Sequence, residues 1–302
     1  MIYKEFGRTG VSVAEVGLGT YLYTGGPGPL RRGLESGALF IDTAEMYGTE
    51  PEVGEAVRGM RDRVFLATKV SPEHFRPDDV RRALDASLQK LGVDQVDLYQ
   101  LHFPNPQVPI ADTMGALARL VDAGKIRFCG VSNFSVAQLR EAQNALGKHP
   151  VVSNQVRYNV IDRTIEADVL PYCQENGIAI IAYSPLSKSL SRILDCDPTG
   201  VLTELARETG KTAAQIAINW CLCQEGVFAI PKANSVEHIL ENCAASDWRL
   251  TGEQLGRLDA RIQHRRRNRL DQMLRQWMPG PLQRMAKSAV GHLPRSLRRR
   301  FF

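Results

Sequence analysis

Short apolar segments alternate with longer amphipathic segments from about residue 15 to residue 245. Eight of the short segments are rich in β-branched or aromatic residues and lack strict polar alternation, which is typical of parallel strands covered on both faces. These segments are AEVGLG (14–19), LFIDTA (39–44), VFLATK (64–69), VDLYQLH (96–102), IRFCGVSN (126–133), VVSNQV (151–156), IAIIAYS (178–184) and VFAIPK (227–232). The segments between them, among them 77–91, 110–121 and 136–146, have the apolar spacing of amphipathic helices.

Strand–helix units in this number and order predict an α/β fold, a (β/α)8 TIM barrel, as one domain over residues 1–262. The alternative is a doubly wound open sheet, which requires a glycine-rich turn after its first strand. The Gly-Leu-Gly at 17–19 lacks the third glycine at the required spacing. Residues 3–16, with the turn GRTG, predict an N-terminal β-hairpin at the mouth of the barrel. The first helix, predicted over 29–36, is short.

Composition places the chain among ordinary globular proteins. It has 302 residues, of which 43% are hydrophobic, so it can bury a large core without disulfides. No segment approaches the roughly 20 apolar residues that a membrane span needs, and we expect no secretory signal. Six cysteines are scattered without the spacing of metal ligands, which predicts reduced thiols in a cytoplasmic protein. We expect a monomer.

The C-terminal segment differs in charge from the rest of the chain. Residues 265–302 contain eleven Lys or Arg residues and one acidic residue, whereas the preceding residues contain 27 basic and 32 acidic ones. Apolar residues at helical spacing predict a basic amphipathic helical extension over 263–302. Packing on the barrel is the first interpretation. An anionic membrane surface, bound through residues 265–302, is the second, and we expect no specific nucleic acid.

Polar residues stand at the end of nearly every predicted strand, after a run of apolar ones. They are Asp42, Lys69, His102, Ser132 with Asn133, Gln155, Tyr183 with Ser184, and Lys232. In a parallel barrel these positions converge on the C-terminal rim, where barrel enzymes have their active sites. Seven strands with this pattern favour a functional site over solvent-exposed strand ends. The remaining histidines lack the spacing of metal ligands, so we expect no metal.

Four of the polar side chains near this rim have coherent chemistry. Asp42 and Lys69 end neighbouring strands and can form an ion pair close to Tyr47. A free tyrosine has a pKa of about 10, and a neighbouring ammonium group lowers that pKa and eases proton donation. His102 can hydrogen-bond a substrate oxygen and orient it. The group therefore predicts protonation of an alkoxide that forms at a carbonyl carbon.

Residues 1–262 resemble the aldo-keto reductase family, in particular the bacterial diketogulonate reductase-like members. The matching segments are FIDTAEMYG (40–48), VFLATKV (64–70), DLYQLHFPNP (97–106), GVSNF (130–134), NQV (154–156), AYSPL (182–186), and IPKA (230–233) followed by EN (241–242). The resemblance implies reduction of aldehydes, ketones or dicarbonyls to alcohols, with Tyr47 as general acid. The implied catalytic residues are Asp42, Tyr47, Lys69 and His102.

The resemblance also implies NADPH as the hydride donor, with NADH as an alternative. The implied cofactor-binding residues are Ser132, Asn133 and Gln155 at the nicotinamide carboxamide, Tyr183 stacked on its ring, Ser184 and Leu186 at the pyrophosphate, Lys232 at the 2′-phosphate, and Glu241 and Asn242 near adenine. A cation at Lys232 favours NADPH, because a buried 2′-phosphate needs a charged partner. Many relatives have serine at the position of Ala233 and an arginine farther along the loop, where this chain has His238 or Leu240, so the preference for NADPH depends largely on Lys232. The glycine that often follows Ser-Pro-Leu is Ser187 here, which implies an altered pyrophosphate loop.

Three aromatic residues in strand-end loops, Tyr21, Phe75 and Phe103, are candidates for the wall of an apolar substrate pocket. By resemblance, Tyr21 and Phe103 occupy positions that are often tryptophan, which implies a roomier pocket. A second function stays open at this point, a nucleotide-sensing regulatory protein that acts through its basic tail, because a fold alone does not define a function. The complete catalytic group favours the enzyme.

Overall fold

The computed structural model describes residues 1–265. The predicted basic extension falls almost entirely on residues 266–302 and so lies outside the described residues, as do its interpretations as a barrel-packing or membrane-binding segment. Within residues 1–265, no helix has both the length and the apolar character needed to cross a bilayer. In the same part of the chain, no group of three or more His, Cys, Asp or Glu side chains is arranged to hold a metal ion.

The chain opens with the predicted antiparallel hairpin, formed by β1 (Tyr3–Glu5) and β2 (Ser12–Ala14). The hairpin covers the N-terminal end of the barrel. Phe6, directly after β1, is fully buried, and its ring centroid lies 4.9 Å from those of Phe65 and Phe228. This aromatic contact fixes the hairpin on the barrel floor through apolar burial.

The predicted barrel is confirmed by an eight-stranded parallel sheet, in which each strand pairs with its neighbour in chain order. The strands are β3 (Leu18–Gly19), β4 (Phe40–Asp42), β5 (Phe65–Val70), β6 (Val96–Leu101), β7 (Ile126–Ser132), β8 (Val151–Arg157), β9 (Ala179–Tyr183) and β10 (Val227–Ile230). A bridge between Val16 and Ala229 joins the first strand to the last. The first strand is shorter than the predicted 14–19 because Ala14 belongs to the hairpin.

Helices cover the outside of the barrel. They are α1 (Pro27–Glu35), α2 (Glu50–Val57), α3 (Pro77–Leu91), α4 (Ile110–Asp122), α5 (Val136–Leu146), α6 (Val169–Glu175), α7 (Leu190–Leu194), α8 (Val201–Thr209), α9 (Ala213–Leu222), α10 (Val236–Cys243) and α11 (Gly252–Arg261). The first begins two residues before its predicted start, because Pro27 suits the first turn of a helix. Ser135 caps α5, and its hydroxyl accepts from the Gln138 N–H.

Strand side chains alternate between the barrel interior and the helical layer. The inward-facing residues run, from the hairpin toward the C-terminal rim, Phe40 and Asp42 on β4, Phe65, Ala67 and Lys69 on β5, and Leu98 and Gln100 on β6. The interior is thus apolar at the bottom and polar at the top. The same alternation that buries the phenylalanines therefore directs the strand-end polar groups toward one another.

Helix α9 lies between the barrel and the outer helices. Trp220 is 1% exposed, and its ring centroid lies 5.1 Å from that of Tyr158. Cys221 is fully buried and Cys223 partly so. Trp220 and Cys221 therefore pack in the core.

Candidate active site

Lys69 is the centre of a buried polar group at the C-terminal rim. The side chain is fully buried, and its ammonium group donates to Asp42 Oδ1 at 2.5 Å and to the Thr43 carbonyl at 2.8 Å. Its third donor direction is toward Tyr47 Oη, at 3.5 Å. An ammonium group has three donors, so all three are engaged. A buried cation in this arrangement is compensated by Asp42, and the Asp42 charge raises the pKa of Lys69 against the desolvation that lowers it.

Two amide side chains bind the second oxygen of the Asp42 carboxylate. Gln155 Nε2 donates to Oδ2 at 2.8 Å and Gln100 Nε2 donates to it at 3.1 Å. Both glutamines are buried. Gln155 was expected at the cofactor carboxamide, and the contact that it makes here is with the carboxylate that holds Lys69. Gln100 was not predicted; the period-2 alternation of β6, which places it on the inner face two residues before His102, could have found it.

Tyr47 lies on a single 3-10 turn, Glu45–Tyr47, which ends at Gly48 with a left-handed φ of 73°. Glycine adopts that conformation at little cost, so the chain can reverse directly after the tyrosine. Burial raises the pKa of the Tyr47 phenol above its ordinary 10, while the Lys69 ammonium lowers it and the Asp42 carboxylate raises it. The sequence predicts a lowered pKa from the ammonium group alone, and this prediction is wrong. Burial outweighs that effect, so Tyr47 is a protonated phenol at neutral pH.

His102 stands directly after β6, and its Nε2 lies 3.2 Å from Tyr47 Oη. Burial lowers the pKa of His102 to about 3, and the Lys69 charge contributes in the same direction. The ring is therefore neutral. Among the described residues its buried Nδ1 has no hydrogen-bond partner, so a proton on Nδ1 would be unsatisfied. The favoured tautomer has its proton on Nε2 and donates toward Tyr47 Oη.

The Tyr47 hydroxyl group is thus bordered by two donors, Lys69 Nζ and His102 Nε2. Both can donate to its oxygen, and neither accepts its proton. The phenolic proton is left to point at a third group on the open side of the ring. This is the geometry expected of an acid that serves an incoming oxygen atom.

Aromatic side chains form one wall beside these polar groups. The Tyr21 ring lies edge-on to Tyr47 at a centroid distance of 5.2 Å, and Phe103 stacks on His102 at 4.7 Å. Tyr21 is 55% exposed and Phe103 is 42% exposed, so both have surface to offer a ligand. Phe75 is different: it is 2% exposed, lies within the apolar core, and its carbonyl accepts from Thr113 Oγ1. Its place in the core argues against a contact with substrate.

Asn133 connects the residues expected at the nicotinamide carboxamide. It has a left-handed φ of 64°, which asparagine tolerates better than most residues. Its Nδ2 donates to Ser132 Oγ at 2.9 Å, and Tyr183 Oη donates to its Oδ1 at 3.1 Å. The half-buried Tyr183 is thereby held at the rim, beside an amide group with a fixed orientation.

The loop after β9 contains three residues in the left-handed region. Ser184, Ser187 and Lys188 all have φ between 51° and 74°, and such residues cost of order 1 kcal/mol each. The Ser187 N–H donates to the Ser184 carbonyl at 2.8 Å. Leu186 lies half-buried within this loop. The loop thus follows β9 at the rim, where the pyrophosphate is expected.

The residues expected at the adenosine end lie on the loop after β10 and on α10. Lys232 is exposed, and its ammonium group makes a 3.5 Å contact with Asn234 Oδ1. Glu241 and Asn242 lie on α10, where Asn242 is 5% exposed. An exposed ammonium with one long contact is available to a phosphate. The donor sets at both ends of the rim thus fit a phosphorylated dinucleotide.

Comparisons with known proteins agree on one family. The model of the aldo/keto reductase family matches residues 29–263. Methylglyoxal reductase YeaE of Escherichia coli K12 is 38% identical over 76% of this chain and 82% of its own. The crystal structure of the thermostable aldo-keto reductase Tm1743 is 40% identical, with a TM-score of 0.81 over 86% of this chain and 99% of that one. An aldo/keto reductase from Klebsiella pneumoniae, crystallised with NADP and acetate, is 37% identical, with a TM-score of 0.80 over 89% of this chain and 98% of that one.

These relatives are described as reductases, and the alternative of a nucleotide-sensing regulatory protein finds no support among them. The match covers every barrel strand except β3. The chain therefore belongs to the aldo/keto reductase family and is an NAD(P)H-dependent oxidoreductase.

Proposed function

We propose that this chain reduces the carbonyl group of a small or medium aldehyde, ketone or dicarbonyl to an alcohol, with NADPH as cofactor and Tyr47 as general acid. The observation that carries the proposal is the position of Tyr47 Oη, 3.5 Å from Lys69 Nζ and 3.2 Å from His102 Nε2. NADPH, when bound, supplies the hydride. The side chains of this chain bind and orient the substrate and the cofactor, and one of them donates the proton.

The carbonyl oxygen is held by the two groups that face the open side of the site. When substrate binds, the carbonyl oxygen replaces Tyr47 Oη as the acceptor of the His102 Nε2–H, which orients it. Tyr47 Oη–H donates to the same oxygen as negative charge develops. The proton then moves from Tyr47 Oη to the oxygen. Lys69, already charged and buried, stabilises the phenolate that remains, and Asp42 keeps the ammonium group at that position.

The cofactor-binding residues act by holding and orienting. Ser132, Asn133 and Gln155 would bind the carboxamide, and Tyr183 would support the face of the nicotinamide ring. Ser184 and Leu186 belong to the loop that would hold the pyrophosphate. Lys232, Glu241 and Asn242 would bind the 2′-phosphate and the adenine end.

Replacement of Lys232 by alanine is expected to weaken NADPH binding by roughly ten- to a hundred-fold, because a charge-assisted contact to phosphate contributes about 1.5–3 kcal/mol. NADH has no 2′-phosphate, so its dissociation constant should stay unchanged. The measurement is titration of both cofactors against wild type and Lys232→Ala by tryptophan fluorescence. Equal weakening of NADPH and NADH would argue against a phosphate contact at Lys232.

The pH dependence follows from the two shifted groups. The pKa of Tyr47 is raised, so the acid is present below that pKa and is lost only as pH rises through it. The pKa of His102 is lowered to about 3, so its neutral form is present above that value. We expect kcat for reduction to be flat from about pH 6 to pH 9. A fall with a midpoint near the ordinary histidine pKa of about 6.5 would contradict a neutral His102.

The aromatic wall beside the polar groups indicates the substrate class. Tyr21 and Phe103 present apolar surface next to Tyr47 and His102, which suits the non-reacting part of a carbonyl compound. The E. coli relative is named as a methylglyoxal reductase, so methylglyoxal is the first compound to test. Larger aldehydes and ketones are the next compounds to test, because the Tyr21 and Phe103 side chains are exposed to solvent.

The test is NADPH oxidation by wild-type protein with methylglyoxal, aromatic aldehydes and simple ketones, with the alcohol product identified by NMR. One NADPH should be consumed for each carbonyl group reduced. Wild-type protein that binds NADPH and reduces none of these compounds would contradict the proposal.

A further inference from the structure

A second group of buried polar side chains lies behind the catalytic one, between the barrel wall and the helices. Glu50 on α2, Thr68 on β5, Ser87 on α3 and Tyr99 on β6 are all fully buried. Thr68 and Tyr99 are partners in the ladder between their strands. Thr68 alternates with the inward-facing Lys69, so it faces the helical layer.

Thr68 makes a short hydrogen bond to Glu50 in this layer. Glu50 Oε1 accepts from Thr68 Oγ1 at 2.8 Å. Its Oε2 makes an ion-pair contact of 3.9 Å with the half-exposed Lys90. Burial raises the pKa of Glu50, whereas interactions with Ser87, Thr68 and Lys90 lower it. Burial of a carboxyl group is costly, so packing alone would favour an apolar residue at this position.

The contact joins two catalytic segments from outside the barrel. Glu50 follows Tyr47 by three residues, separated from it by Gly48 and Thr49. Thr68 directly precedes Lys69 on the same strand. The hydrogen bond thus ties the backbone after the tyrosine turn to the backbone that carries the lysine.

This hydrogen bond matters because the distance between Tyr47 Oη and Lys69 Nζ is already long. Tyr47 Oη and Lys69 Nζ are 3.5 Å apart, at the outer limit of a hydrogen bond. The start of the Tyr47 turn is held separately, because Glu45 Oε1 accepts from the Ser71 N–H at 3.1 Å.

At the far end of the turn, Thr49 Oγ1 bonds to Thr43 Oγ1 at 2.9 Å and to Thr20 Oγ1 at 3.0 Å. The bond from Thr68 to Glu50 ties this end to the strand that carries Lys69. Its loss would let the turn shift relative to that strand and move the phenol away from the ammonium group.

We propose that Glu50 is a positioning residue for the Tyr47 proton donor, acting through its hydrogen bond from Thr68. The inference rests on the proposed function for its kinetic consequence. Glu50 does not touch the reacting atoms. Its effect is on the separation of Tyr47 Oη from Lys69 Nζ.

The test compares variants that remove the bond with variants that keep it. Glu50→Ala and Thr68→Val remove it, whereas Glu50→Gln keeps the acceptor and Thr68→Ser keeps the donor. We expect kcat to fall about ten- to a hundred-fold in the first pair, because misplacement by about 1 Å has effects of that size. The second pair should stay near wild type, and the dissociation constant of NADPH should be unchanged in all four. The double variant Glu50→Ala/Thr68→Val should be no worse than either single variant.

Wild-type kcat in both Glu50→Ala and Thr68→Val would overturn the proposal. So would equal losses in Glu50→Gln and Glu50→Ala, because the acceptor would then not matter. Should Glu50→Ala fail to fold, the nearly isosteric Thr68→Val and its Ser control make the same comparison. Crystal structures of the NADP-bound variants give a measurement that does not depend on activity. The distance from Tyr47 Oη to Lys69 Nζ should lengthen in Glu50→Ala and Thr68→Val and stay unchanged in Glu50→Gln and Thr68→Ser. A displaced turn in a protein whose wild type reduces no carbonyl would leave the positioning role intact and refute the proposed function.

Discussion

Replacement of Tyr47 by phenylalanine is expected to lower kcat for carbonyl reduction by about 10²- to 10⁴-fold, the usual contribution of a positioned general acid. The reason is specific to the surroundings of its hydroxyl group. Lys69 is held by Asp42 and the Thr43 carbonyl, and His102 is a neutral imidazole, which is a very weak acid. Neither of them therefore gives a proton in place of Tyr47 at neutral pH. The measurement is kcat at saturating NADPH and carbonyl substrate.

The control for this variant is its affinity for NADPH. Tyr47→Phe keeps the aromatic ring that contacts Tyr21, so folding and the dissociation constant of NADPH should match wild type. A variant that retains a tenth or more of wild-type kcat would contradict the assignment of Tyr47 as the acid.

Replacement of Lys69 by methionine is expected to destabilise the protein by about 3–5 kcal/mol, because it leaves the Asp42 carboxylate buried without its cation. Activity should also fall, by roughly 10²- to 10³-fold, since the phenolate of Tyr47 loses its adjacent positive charge. Urea denaturation measures the first effect and kcat the second.

The double variant Asp42→Asn/Lys69→Met separates the two roles of the pair. An asparagine at this position is neutral and still accepts from Gln100 and Gln155, which now bind the carboxylate. Much of the lost stability should return, whereas kcat should stay low because no ammonium group stands beside Tyr47. Recovery of activity together with stability would mean that Lys69 acts only as a structural partner.

Local patterns were sufficient to predict the elements of the barrel and the rim. Parallel strands are marked by short β-branched runs, and the polar groups Asp42 and Lys69 interrupt such runs at their ends. Because consecutive strands pair in a barrel, adjacency of these two side chains follows from chain order alone. The predicted ion pair is present, with Lys69 Nζ 2.5 Å from Asp42 Oδ1.

Contacts across the barrel could not be predicted in this way. Alternation along β6 places Gln100 on the inner face, but it does not predict the contact with Asp42, which is 58 residues away in the chain. Phe75 looked like a loop residue at the rim, yet a single 3-10 turn, Pro72–His74, returns it to the core. The raised pKa of Tyr47 depends on how deeply the folded chain buries it, which periodicity does not reveal.

The most direct measurement of the central claim is a single turnover. Wild-type protein loaded with NADPH is mixed with methylglyoxal in H₂O and in D₂O, and the absorbance of the reduced cofactor is followed by stopped flow. Reduction with Tyr47 as acid predicts rapid loss of that absorbance, slower in D₂O because the proton on Tyr47 Oη is exchanged. A cofactor that stays reduced with methylglyoxal and with every other carbonyl compound offered would contradict it.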